Sequence, residues 1–167
     1  DTLLFRSPTC TPVDKMAATE LAKIAEIDMD RYAADMFSAG SNLRGKSNEE
    51  IFYQDFKLFN SGKISYGVGQ ISSLNADELT ELKDRLLPFL KKPHEEHGVD
   101  MIFFMLTNIL TESTSLLCEG EGAEDLIRLA FHMENASDDA EANVVELPGV
   151  VSRKKQLIPS IMIASEA

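Results

Sequence analysis

Ser152-Arg153-Lys154-Lys155-Gln156-Leu157-Ile158-Pro159-Ser160 puts three consecutive cations into a chain whose formal net charge is -12, just ahead of an apolar run. A protein this acidic gains no solubility from such a cluster, so an anion is its natural partner. The planar fork of an arginine beside the mobile ammonium of a lysine suits a cage of phosphate oxygens. Charge alone does not decide the point, because a short basic run is commonly a solvated face or a counter-charge at a helix end. Residues 156–163 are expected to form the last strand of a sheet. On a regular strand Arg153 and Lys155 would point one way and Lys154 the other. All three would meet one ligand only if the segment bends, or stays in a loop at Ser152.

The chain around this stretch has 167 residues, enough for one domain with a proper core. Its hydrophobic fraction of 44% and charged fraction of 26% are those of a globular protein. Two cysteines, Cys10 and Cys118, make no disulfide framework and are expected in the core, in a reducing compartment. No apolar run approaches the ~20 residues a bilayer span needs, and residues 101–106 fall far short. No leader pattern is seen, and the chain opens in mid-pattern at Asp1, as a fragment would. The acidic balance argues against nucleic acid, which calls for a broad basic face. These features suggest a cytoplasmic domain cut from a longer protein.

Taken in order, Thr11-Pro12-Val13-Asp14 is a helix start, with a threonine cap, proline in the first turn and an acid three residues on. Helical spacing then runs to about residue 26. A second helix is expected from Asp28 to Gly40 and a third from Ser47 toward Asp55, with Lys57 just beyond it where the chain turns. Residues 63–71 alternate as a glycine-softened strand. Asn75 caps the longest helix, with Pro88 kinking it, Pro93 ending or bending it and Gly98 closing the element. Residues 99–106, apolar but for Asp100, read as a strand buried on both faces. A strand at 115–119, a helix over 122–133 and an exposed acidic loop over 135–143 follow. Residues 144–147 and 150–151 form a hairpin-like pair around Pro148-Gly149. The fold expected is α/β: a single domain with a mixed sheet of about five strands and helices packed against it.

Several familiar sites can be set aside. Gly67/Gly69 and Gly120/Gly122 lack the third glycine of a dinucleotide loop, and no Walker-type loop is present. In His94-Glu95-Glu96-His97 the histidines are three apart, not the four that a zinc helix uses, and solvated residues at a helix end are the simpler reading. Asn135-Ala136-Ser137 is a sequon only by its letters. Neither cysteine has a base beside it in sequence, which leaves nucleophilic catalysis unsupported.

Gly149-Val150-Val151-Ser152-Arg153-Lys154-Lys155-Gln156-Leu157-Ile158-Pro159 strongly resembles the terminal signature of the family II, manganese-dependent inorganic pyrophosphatases. Asp1-Thr2-Leu3-Leu4-Phe5-Arg6-Ser7-Pro8-Thr9-Cys10-Thr11 resembles the passage of those enzymes from their N-terminal DHH domain into their DHH-associated C-terminal domain. Asp55-Phe56-Lys57-Leu58-Phe59 is similar to the family's Asp-x-Lys-x-Phe stretch. The three blocks stand in the family's order and span nearly the whole chain.

The resemblance implies that residues 1–10 are the tail of a missing DHH domain with its linker, and that residues 11–167 are the substrate-binding domain. It implies that Lys57, Arg153 and Lys154 bind pyrophosphate, that Arg153 and Lys154 also act in catalysis, and that Asp1 is one ligand of a metal pair held mainly by the missing domain. The cofactor implied is Mn²⁺, or Mg²⁺ or Co²⁺. The partners implied are pyrophosphate or another phosphoanhydride, the protein's own DHH domain and a second copy in a homodimer, with no nucleic acid and no membrane. The fragment alone is expected to be inactive.

Some positions depart from the family pattern: Arg6 for a common lysine, Thr107-Asn108 for Thr-Asp, the run Gln70-Ile71-Ser72-Ser73-Leu74-Asn75, and the acidic residues around Asp138-Asp139. They leave room for a different phosphoanhydride substrate, and the nearest alternative is an exopolyphosphatase or another DHH phosphoesterase, in which the same type of C-terminal domain occurs. A non-catalytic module that binds an acidic partner or a nucleotide is the alternative from another class.

Overall fold

A computed structural model describes residues 2–40, 43, 45–133 and 141–166. Its centre is a five-stranded mixed sheet in the order β1 (Phe56–Asn60), β2 (Ser65–Ser73), β3 (Met101–Asn108), β4 (Ser113–Glu119) and β5 (Val144–Pro148). β2 and β3 run parallel, and the other neighbours are antiparallel. The continuous apolar reading of β3 has the cause expected: six consecutive residues, Ile102 to Thr107, are buried, alternating between two cores.

Ile71, Ile102, Phe104, Leu106 and Leu117 join one core with helices α3 (Asn48–Phe52) and α4 (Ala76–Leu86). Tyr66, Val68, Phe103, Met105, Leu116 and Cys118 join the other, with α6 (Ala123–Ala130) and α7 (Ile158–Glu166). The glycines of β2 are packing residues. Rings of Phe56 and Phe104 lie where a Cβ would stand at Gly67 and Gly69, so these two positions lend their space to the first core.

The helix starts form as read. Thr11 and Asp14 make a capping box for α1 (Pro12–Ile24), and Ser47 and Glu50 make one for α3. The Asp14 and Glu50 carboxylates are both held below their ordinary range by those cap hydrogen bonds. α1 buries none of its side chains, and Met16, Leu21 and Ile24 stand exposed, as do Tyr32 and Met36 of α2 (Met29–Gly40). No helix among the described residues is long and apolar enough to cross a membrane.

Several expectations are corrected. Lys57 lies within β1, the edge strand, not in a turn. Pro88 divides the predicted long helix: α4 stops at Leu86, and α5 (Lys91–His97) follows, closed by Gly98 in the left-handed conformation. Residues 150–151 are not a strand, since β5 pairs only with β4. Residues 156–163 are helical: a π-helical turn at Arg153–Leu157 runs straight into α7. Its isoleucines suggested a strand, but the buried positions Leu157, Ile161 and Ala164 recur at i, i+4 and i+7, a helical stripe against the second core. Cys118 is in the core while Cys10 is half-buried. The sequon and the acidic residues Asp138-Asp139 lie outside the described residues.

Two measurements check this packing. Ile161 is fully buried and Ile163 is 74% exposed, although a strand would place them on one side. Ile161→Ala should cost about 2–5 kcal/mol in chemical denaturation, and Ile163→Ala no more than about 0.5. Burial drives the Cys118 thiol far above its ordinary pKa. A thiol reagent at neutral pH should therefore modify Cys10 in the native protein and reach Cys118 only after unfolding.

Candidate functional site

The last helix starts at the cationic stretch, and Ser152 is its cap. The Ser152 hydroxyl accepts from the Lys155 N–H at 3.2 Å, and its carbonyl accepts from the N–H groups of Gln156 (3.0 Å) and Leu157 (3.2 Å). The second of those bonds spans five residues and makes the first turn a π turn. Gln156 folds back over the entry loop. Its carbonyl oxygen accepts from the Val151 and Ser152 N–H groups, each at 3.0 Å, and its amide donates to the Gly149 carbonyl at 2.7 Å. Gly149 itself has φ +75°, the left-handed backbone that favours glycine.

A buried polar chain holds the same loop from below. The Gln70 amide donates to the Thr107 hydroxyl (3.1 Å) and to the Val151 carbonyl (3.2 Å). The Thr107 and Thr114 hydroxyls are 2.9 Å apart, and Thr114 donates to the Val150 carbonyl at 2.6 Å. Since Thr114 gives its proton to Val150, Thr107 must donate to Thr114, so the donors run in one direction from β2 through β3 to β4. Every member is satisfied, which makes such a network a rigid support.

Arg153 is 9% exposed and turns inward over β2. Its Nη1 donates to the carbonyls of Asp55 (2.9 Å) and Val68 (3.2 Å), and its Nη2 donates to Asp55 Oδ1 at 2.8 Å. Asp55 closes the 3₁₀ turn Tyr53–Asp55 that leads into β1. Two residues later, Lys57 pairs with Val68 across the β1–β2 ladder. Strand alternation sets Lys57 on the face of Phe59, which packs against the second core, and hence on the side where the last helix lies.

Lys57, Arg153 and Lys154 therefore line one cavity of about 480 Å³, together with Lys155, Asp55 and Gln70. Lys57, Lys154 and Lys155 are exposed, and among the described residues none has a side-chain hydrogen bond or ion pair. Cations in the first turn of a helix face the positive end of its dipole, an unfavourable place that an anion at the same end would make favourable. Lys57, Arg153 and Lys154 thus share one concave surface. Arg153 and Lys154 reach it from a helix start, not from a bend in a strand, and Lys57 reaches it from β1.

Other candidates do not converge. His94 Nε2 lies 3.1 Å from the Asp100 carbonyl, and His97 Nε2 lies 3.1 Å from the Tyr53 hydroxyl, so the two rings serve different neighbours. Among the described residues no three His, Cys, Asp or Glu side chains come together as a metal site, and the residues present do not fit a resident metal on their own. Asp1 lies outside the described residues. Sequence reasoning assigned no role to Asp55, Gln70 or Gln156, although each stood inside a quoted block. Their signal was position within a motif, without a spacing that names a partner.

Comparison with known proteins shows what the chain as a whole is similar to. A probable manganese-dependent inorganic pyrophosphatase of Clostridium acetobutylicum is 41% identical over 99% of this chain and 52% of its own length. A cobalt-dependent inorganic pyrophosphatase of Clostridium perfringens is 40% identical over 96% of this chain and 28% of its own. The crystal structure of a candidate family II inorganic pyrophosphatase of Methanococcus jannaschii superposes with a TM-score of 0.83 at 32% identity, covering 99% of this chain and 52% of that one. The chain thus spans about half the length of the first of these relatives. Residues 34–164 match the DHHA2 domain, and with the sheet, the last helix and the three cations in place, the chain belongs to the DHHA2 domain family.

Proposed function

We propose that this chain is the substrate-binding part of a metal-dependent inorganic pyrophosphatase that hydrolyses diphosphate to two phosphates. The observation that carries the reading is the convergence of Lys57, Arg153 and Lys154 on one cavity at a helix start in an otherwise acidic protein. In this reading Arg153 binds phosphate oxygens in bidentate fashion, Lys154 neutralises the phosphoryl group under attack, and Lys57 approaches from β1. Pyrophosphate carries several negative charges, and cleavage builds more on the departing phosphate. Cations fixed near that oxygen lower the barrier without having to reorganise.

Mn²⁺ or Co²⁺ would be held by the half of the protein that precedes this chain in the family's plan, with Asp1 as one ligand and residues 1–10 as the link. When bound, the metal supplies a polarised nucleophile at neutral pH. Closure of the cationic cavity over that centre would exclude water other than the nucleophile. The exposed apolar side chains of α1 are surface suited to contact with that half. The whole protein is proposed to act in the cytoplasm as a homodimer.

The test is made on the full-length protein. Arg153→Ala and Lys154→Ala should each lower turnover of pyrophosphate by about 10²–10³-fold, on the scale of a lost charge stabiliser. Lys155→Ala should change it little. Unchanged turnover in Arg153→Ala would defeat the assignment. Chelation should abolish activity and added Mn²⁺ or Co²⁺ restore it, whereas residues 1–167 alone should release no phosphate under any metal.

A further inference from the structure

We propose that Asp55 is a positioning residue that sets the plane of the Arg153 guanidinium, so that one edge of it is kept ready for an anion. The inference rests on the reading of Arg153 as a phosphate ligand. It assigns a role to a residue that the function above leaves unexplained.

The hydrogen bonds carry the argument. An arginine has five N–H donors: two on Nη1, two on Nη2 and one on Nε. Nη1 uses both of its donors, on the Asp55 and Val68 carbonyls, and Nη2 uses one, on Asp55 Oδ1. Among the described residues the two donors left are Nε–H and the second N–H of Nη2, and these lie side by side on one edge of the plane. That edge is the fork that takes a phosphate or carboxylate by two parallel bonds. Main-chain carbonyls fix where the end of the guanidinium sits. The Asp55 carboxylate adds the third point, which stops the group from rotating about the Nε–Cζ bond.

Electrostatics makes the carboxylate's presence informative. Asp55 lines the same cavity and is about half exposed, so it opposes any anion drawn there. A site meant only to attract anions would be better without it. Its counter-charge offsets the burial of the arginine, and its geometry orients it. Removing a partner from a buried pair leaves an uncompensated charge. Asp55→Asn, which keeps an acceptor at Oδ1 while losing the charge, separates these two effects.

The experiment combines a spectroscopic and a kinetic arm on the full-length protein. With nitrogen-15 labelled arginine, the free wild-type protein should show separate Arg153 Nη1 and Nη2 resonances from restricted rotation. Asp55→Ala should merge them, and Asp55→Asn should keep them apart. An averaged signal in wild type, which requires no variant to fold, overturns the proposal, as does restricted rotation that survives in Asp55→Ala. In the kinetic arm, Asp55→Ala should lower kcat/KM for pyrophosphate on the order of 10²-fold, and Asp55→Asn by no more than about tenfold. In an Arg153→Ala background, Asp55→Ala should add less than about twofold, because the pair acts as one unit. A full additional loss there overturns the proposal. If Arg153→Ala itself leaves turnover intact, it is the phosphate role of Arg153 that fails, and the resonances still decide whether Asp55 holds the guanidinium.

Discussion

A guanidinium cannot sit almost out of reach of solvent at the end of a sheet unless its charge and its donors are met. Here Val68 of β2 and Asp55, just before β1, meet the charge and three of the five donors, and two are kept for the proposed anion. The Val68 and Asp55 carbonyls belong to backbone that β2 and the turn before β1 have already fixed, and the Asp55 carboxylate adds the counter-charge. The desolvation of Arg153 is offset by two carbonyls that need no further ordering and by the charge of the Asp55 carboxylate. Residues 98 positions apart in sequence are tied by this contact, so the last helix and the first strand take a common reference. The polar chain from Gln70 to Thr114 and the Gln156 carboxamide then constrain the loop between them. The cationic helix start is thus held from three sides.

This arrangement depends on a sheet buried on both faces. Strand alternation sends Tyr66 and Val68 to the side of α6 and α7, and Ile71 to the side of α3 and α4. Only with both faces filled can the loop before Arg153 rest on buried hydroxyls, since an open face would admit water to compete for each bond. Gly67 and Gly69 belong to the same economy of space, because rings from the first core occupy the volume their side chains would need.

Much of this was legible in the sequence, for reasons that differ from element to element. The caps at Thr11, Ser47 and Asn75 are local chemistry, and local chemistry survives folding. The apolar run of β3 carries its own burial signal. The isoleucines of the last helix favour a strand, whereas tertiary packing of Leu157, Ile161 and Ala164 decides in favour of a helix. β1 was missed because it is a short edge strand with one clear hydrophobic alternation, too little to separate from a turn. The cationic trio was found through motif resemblance. Its members' geometry was not, because hydrogen bonds across 98 residues leave no trace in spacing.

The place of β1 at the margin of the sheet has one more consequence. A bare margin offers a row of unpaired amides to any other chain, and Leu58, 52% exposed, would make such a join more attractive. An ammonium group next to it, on a side chain without a partner among the described residues, repels a like copy of the same strand. The lysine proposed to meet a ligand therefore also guards the protein against growing into a polymer.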